Sequence, residues 1–333
     1  MSRRSGPFPF PLCVSLPTLR RSFATMNTLL LGKSSLRVSR LAYGCWRIAD
    51  TEELGRTLGR GAILAALEAG YTLFDHADIY CGGRAEKAFG DVLREVSGMR
   101  ERVLIATKCG IRLAGEPLPE APVRYDFSAA HIVWSCEQSL RRLGVETIDL
   151  YQLHRPDWLM NPDEVGVAFN QLRQQGKVRE FGVSNFRPSQ LTALQSALAF
   201  PLLVNQVEIS LANLSTFTDG TLDQCLAERL TPMAWSPLAG GLLADGARRL
   251  LPSQENYRVE RIVVELDALA RVRGSTRGTV ALAWLVKHPG GIVPIVGSTK
   301  PERIREGANA ARVELSREEW YRLLEAARGE RLP

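Results

Sequence analysis

Eight times between Leu41 and Val296, a brief apolar run gives way to a stretch with helical periodicity. Strands alternating with helices this regularly form a parallel sheet whose faces are covered by helices. The runs are Leu41–Tyr43, Thr72–Phe74, Arg102–Thr107, Thr147–Leu153, Glu180–Val183, Leu202–Asn205, Thr231–Ala234 and Ile292–Val296. Between them, helices are expected over about Leu58–Glu68, Ala85–Val96, from Ser128 onward, Asp163–Gln175, from Pro188, Leu222–Glu228, through Val259–Ala270 and over Val280–Lys287. A doubly wound dinucleotide-binding sheet would carry GxGxxG after a strand, and no run here is followed by one. The pattern therefore predicts a (β/α)8 TIM barrel. An N-terminal hairpin over Asn27–Arg40, turning at Gly32–Ser35, precedes it. C-terminal helices follow, with capping boxes expected at Thr299-x-x-Glu302 and Ser316-x-x-Glu319.

In such a barrel, chemistry is carried at the C-terminal strand ends. Three successive runs place a polar group there. The second ends in Asp75, with Tyr80 five residues on, the third in Lys108 and the fourth in His154. A phenol with an ordinary pKa of about 10 is a poor acid at neutral pH. An ammonium beside it would lower that pKa, and a carboxylate would hold the ammonium in place. Asp75, Tyr80, Lys108 and His154 are thus the candidate catalytic group. Each has a duller role open to it: a loop cap, a half-buried aromatic, a solvated strand end, a core histidine.

Composition removes several alternatives. The net charge is +6, yet Arg3, Arg4, Arg20 and Arg21 supply +4 within the first 25 residues, which hold no acid. No basic stripe interleaved with aromatics remains, so nucleic acid is not the expected partner. No apolar run is long enough to span a membrane. The six cysteines show neither CxxC nor zinc spacing, so no metal is expected and reduced, cytoplasmic thiols are. Residues 1–25, broken by four prolines, are expected to be a disordered extension, with Met26 opening the barrel domain over 26–333.

Assembled in order, the strand ends read DHADIY (75–80), ATKCG (106–110), LHRPD (153–157), FGVSNF (181–186), NQVE (205–208), AWSPLAGG (234–241) and PIVGSTKPERI (294–304). This series resembles the aldo-keto reductase superfamily from about Asn27 to the C-terminus. The nearest branch is the bacterial general oxidoreductases, which also resemble potassium-channel β subunits. The resemblance implies that Asp75, Tyr80, Lys108 and His154 form the family's catalytic tetrad. It also implies NADPH as cofactor, NADH being second choice, and a small aldehyde or ketone as substrate.

Cys45, Trp46, Asp75, Ser184, Asn185 and Gln206 would border the nicotinamide end, with Trp235 stacking on its ring. The loop Ser236, Pro237, Leu238, Ala239, Gly240 would accommodate the pyrophosphate. Gly297, Ser298 and Thr299 lead into a helix start suited to an anion, with Lys300 and Arg303 as cations for a 2′-phosphate. Three positions depart from the commonest family pattern: His76 in place of threonine, Trp235 in place of tyrosine, and Gly297 in place of a phosphate-binding lysine. Trp46 and Trp158 are expected to narrow an apolar entrance. Two other activities stay open: a cofactor-binding regulatory module with little turnover, and a lyase using Lys108 as a Schiff-base nucleophile.

Overall fold

The computed structural model describes residues 26–245 and 250–333; the expected N-terminal extension lies outside them. An antiparallel pair, β1 (Thr28–Leu30) and β2 (Arg37–Ser39), opens the chain, with Leu29 opposite Val38. Its turn passes through Gly32 at φ +53°, where a Cβ would come within 2.6 Å of the Leu203 carbonyl oxygen. The hairpin therefore lies against the lower end of the strand that follows Leu203, and Leu31 and Val38 join the core inside the barrel.

The barrel strands are β3 (Ala42–Gly44), β4 (Leu73–Asp75), β5 (Leu104–Cys109), then, after a small antiparallel pair, β6 (Ile111–Arg112) and β7 (Arg124–Tyr125), β8 (Ile148–Leu153), β9 (Val178–Ser184), β10 (Val204–Glu208), β11 (Thr231–Trp235) and β12 (Val293–Val296). Eight of them pair in parallel, in the order β3-β4-β5-β8-β9-β10-β11-β12, and β12 closes onto β3. The (β/α)8 expectation is met. The β6–β7 ribbon, inside what the sequence presented as a plain loop from residue 110 to 127, was not anticipated.

Strand alternation divides the core in two. Ala42, Leu73, Ala106, Leu150, Val204, Met233 and Val293 fill the barrel interior. Their sequence neighbours, such as Phe74, Ile105 and Tyr151, face the helical layer. Helices Arg60–Glu68, Arg84–Glu95, Ala129–Leu143, Pro162–Gln174, Pro188–Ser196, Thr221–Glu228, Glu260–Val272, Arg277–Val286, Pro301–Ala308 and Arg317–Arg328 follow the predicted positions within a few residues. Ser128 caps the helix it precedes by accepting from the His131 N–H. The Ser316/Glu319 capping box forms. The Thr299/Glu302 box does not, because Pro301 fixes the first helical position and makes Lys300 the residue before it. Among the described residues, no helix is long and apolar enough to cross a membrane.

The last helix is locked by two reciprocal bonds. The Trp284 indole N–H donates to the Trp320 carbonyl, and the Trp320 indole N–H donates to the Trp284 carbonyl, each at 3.0 Å, with the rings stacked 4.8 Å apart. Helix Arg84–Glu95 packs closely on the end of helix Ala129–Leu143 at Gly90. A Cβ there would sit 2.5 Å from the Leu143 carbonyl oxygen and 2.7 Å from that of Arg142. Gly90→Ala should therefore destabilise the fold by about 1–3 kcal/mol in urea unfolding. Gly61→Ala, also in a helix but with open space around the added methyl, should stabilise by up to about 1 kcal/mol. Equal effects at the two sites would contradict the packing account.

Candidate active site

Parallel register sets the depth of each polar strand end. Asp75 pairs with Gly44 and Ala106, and Lys108 pairs with Gln152, two residues below His154. Asp75 lies on the inward face with Leu73, and Lys108 with Ala106, so both enter the barrel interior. The Lys108 side chain is fully buried. Its ammonium donates to Asp75 Oδ1 (2.9 Å), Asp75 Oδ2 (2.8 Å) and the His76 carbonyl (2.6 Å). Gln206 Nε2 adds a bond to Asp75 Oδ1 at 2.8 Å. A buried ion pair is tolerable only when its remaining lone pairs and protons are satisfied, and this one is well furnished.

Tyr80 comes in from the side, on the turn after β4. Cys81, Gly82 and Gly83 all have left-handed backbone angles, which fold the chain back sharply behind the phenol. That turn is tied down at several points. The Asp78 N–H donates to the Lys108 carbonyl (3.0 Å), Ser135 Oγ donates to Asp78 Oδ2 (2.7 Å), and the Cys81 thiol lies 3.1 Å from the Trp46 carbonyl. Lys108 Nζ stands 4.9 Å from the centre of the Tyr80 ring. The His154 ring meets the Tyr80 ring edge-on at 5.8 Å, and Trp46 lies 6.2 Å from it on another side. The four residues expected to form the catalytic group therefore converge at one end of the barrel.

The electrostatics differ from expectation in one respect. Burial pushes the Tyr80 pKa up, while Lys108, by charge and by hydrogen bonding, pulls it back; the net direction is upward. Burial penalises the Lys108 ammonium, but Asp75 and Tyr80 more than offset this, and its pKa rises. His154 is driven well below the usual histidine range by burial and by the charges of Lys108 and Arg155. It is a neutral imidazole, whose buried Nδ1 has no protein partner. For His76, fully buried against Phe89, the same two causes, burial first and then Lys108, push the pKa down to about 3, which favours the neutral ring.

Around this group lies a frame of amides. Ser184 Oγ donates to the Gln206 carbonyl (2.8 Å), and Asn185 Nδ2 donates to the His154 carbonyl (3.1 Å) and to Ser184 Oγ (2.9 Å). The Trp235 indole N–H donates to Asn185 Oδ1 at 3.0 Å. Asn185 takes a left-handed conformation to make these bonds. Beyond Trp235, Ser236 and Ala239 are also left-handed, Gly240 shares the conformation, and Pro237 and Leu238 complete the loop. Tyr43 donates to the Ser298 carbonyl (2.8 Å), and Ser298 Oγ accepts from the Lys300 N–H (3.1 Å). Gly297 has open space where a side chain would stand. Cys45 is fully buried, its N–H bonded to the Asp75 carbonyl.

These features suit a dinucleotide. An indole held by its own N–H, a second lone pair on Asn185 Oδ1, a glycine-containing loop and a helix start stand at or just beyond the ends of β9, β11 and β12, which lie together in the barrel order. Arg303 is not a free cation, however: it is ion-paired with Asp245. Trp158 is 85% exposed and does not narrow the entrance, whereas Trp46 does border Tyr80. The sequence reading missed Arg155 altogether. Its guanidinium lies 5.6 Å from the centre of the Trp235 ring, directly after His154 in the LHRPD motif that should have drawn notice to it.

Comparison with known proteins gives the same direction. Residues 40–328 match the model of the aldo/keto reductase family. The chain is 45% identical over 311 residues to a 6-dehydroglucose reductase of Novosphingobium aromaticivorans, covering 91% of this chain and 96% of that one. It is 41% identical over 295 residues to a 6-dehydroglucose reductase of Agrobacterium fabrum, covering 88% and 96%. The solved glycerol dehydrogenase of Gluconobacter oxydans superposes with a TM-score of 0.78 at 28% identity, covering 92% and 97%.

Asp78 offers a test of the turn behind Tyr80. Burial raises its pKa to about 7, outweighing the Ser135 bond, and Oδ1 has no partner. A carboxyl that binds its proton more tightly when folded loses stability as pH climbs from the unfolded value towards the folded one. Wild type should therefore lose up to about 1.4 kcal/mol per pH unit from this group between roughly pH 4 and pH 7. The difference from Asp78→Asn should widen over that window and then level off. Urea unfolding at pH 5, 6, 7 and 8 measures it, and a constant difference would contradict the assignment.

Proposed function

The chain belongs to the aldo/keto reductase family, and we propose that it is an NADPH-dependent reductase of small aldehydes and ketones, with Tyr80 as general acid. The observation that carries this reading is the convergence of Tyr80, His154 and the buried Lys108–Asp75 pair at the mouth of the barrel. A bound nicotinamide supplies the hydride; the chain's own residues manage charge and protons. As negative charge develops on the carbonyl oxygen, it must be stabilised and then protonated. Tyr80 holds the proton at its hydroxyl. Lys108 favours its release through charge, and Asp75 keeps Lys108 in place. His154, neutral, orients the carbonyl with its single ring N–H and competes for no proton.

The raised Tyr80 pKa suits this direction of reaction, because the phenol stays protonated through and above neutral pH. The relatives named as 6-dehydroglucose reductases make a sugar-type aldehyde the first substrate to test. A bound cofactor would be held by Trp235 at its nicotinamide ring, by the Ser236–Gly240 loop at its pyrophosphate, and by Lys300 and Arg303 at a 2′-phosphate. Asp245 would then have to share or yield Arg303.

Two experiments test the reading. Tyr80→Phe should lower carbonyl-dependent NADPH oxidation by about 10²–10⁴-fold with NADPH affinity retained. Unchanged turnover would remove Tyr80 from the chemistry, and a wild type inert towards a broad carbonyl panel would favour a regulatory module instead. Arg303→Ala should raise the KM for NADPH by roughly 10-fold or more, since charge-assisted bonds to phosphate are lost. It should move the KM for NADH little. Parallel changes for both cofactors would argue against 2′-phosphate binding there.

A further inference from the structure

Arg155 is half-buried at the mouth of the site and makes no ion pair among the described residues. It is nonetheless held in position. Arg155 lies over Trp235, the Trp235 N–H donates to Asn185, Asn185 donates to the His154 carbonyl, and His154 is the residue before Arg155. This closed circuit holds the guanidinium carbon 5.6 Å from the centre of the Trp235 ring. A contact of the cation with the ring consumes none of its five N–H donors. A half-buried cation whose donors meet no carboxylate is matched to an acceptor brought in from outside. Its charge also reaches the reacting group: it adds to the lowering of the His154 pKa and opposes, in small part, the upward shift that burial imposes on Tyr80.

We infer that Arg155 is a specificity-determining residue that hydrogen-bonds an oxygen on the carbon next to the reacting carbonyl, so that the substrate class is α-oxygenated aldehydes and ketones. The inference rests on the reductase reading above and narrows it. The shared chemistry is an oxygen acceptor one carbon from the carbonyl, which a hydroxyl or a carboxylate can each supply. A purely electrostatic effect of Arg155 on the transition state would act on every carbonyl alike. A hydrogen bond to a substituent acts only on substrates that carry it.

The test compares wild type, Arg155→Met and Arg155→Lys, each with NADPH, on glyceraldehyde, glyoxylate and propanal. Arg155→Met should lower kcat/KM for at least one of the oxygenated substrates, relative to that for propanal, by roughly 10- to 100-fold, the loss expected for a bond to a charged group. Arg155→Lys should recover part of the ratio. Loss confined to glyceraldehyde assigns the hydroxyl, and loss confined to glyoxylate assigns the carboxylate; either supports the inference. A fall of the same size for propanal would overturn it, as would a ratio unchanged within about threefold. NADPH affinity measured by fluorescence must hold in Arg155→Met; a loss there equal to the loss in kcat/KM would place Arg155 in the cofactor cleft and overturn the inference. A wild type that reduces none of the three carbonyls would remove the reductase reading and this inference together.

Discussion

A lysine ammonium with no solvent exposure is the feature the rest of the site answers to. Leaving Lys108 charged inside a barrel requires an anion at contact distance and an acceptor for every proton. Asp75 supplies two acceptor oxygens and the His76 carbonyl a third. Gln206 then satisfies Asp75 from the opposite wall of the barrel. Lys108, Asp75 with the adjoining His76, and Gln206 come from three different strands, so the charge is stable only when the barrel is closed and its register is correct. Fold and chemistry are coupled at this point.

Tyr80 is placed by a different device. Strands carry the charged pair, but the phenol is on a turn held by three consecutive left-handed residues and by the Asp78 bonds to Lys108 and Ser135. The turn is thus fastened both to the strand that bears the ammonium and to the helix behind it. A strained turn tied at both sides keeps the hydroxyl beside Lys108 without burying the ring completely, so the mouth stays open to a carbonyl. The cost appears at Asp78, a carboxyl kept where burial opposes its charge.

Much of this was legible in sequence because it is local. Apolar runs ending in Asp75, Lys108 and His154 state both the strands and their polar ends, and alternation within a strand decides which way each end faces. Pairings between distant segments were not legible. Arg303 and Asp245 lie 58 residues apart, and nothing in either neighbourhood announces their ion pair. Trp158 follows a site residue closely in sequence, but its loop turns outward and leaves it in solvent. The capping box at Thr299 failed because proline at the first helical position shifted the start by one residue. The direction of the Tyr80 pKa turned on burial, which residue spacing does not report.

The central claim is that the charge on Lys108 acts on the proton of Tyr80 during hydride transfer. It is tested most directly by the first-turnover rate in stopped flow at pH 7, comparing wild type with Lys108→Met, and with the double variant Asp75→Asn/Lys108→Met as a folded control lacking the unpaired carboxylate. The account predicts a fall of at least about 100-fold in both variants, with NADPH still bound. A first turnover within about threefold of wild type, in a folded variant that binds NADPH, would contradict it.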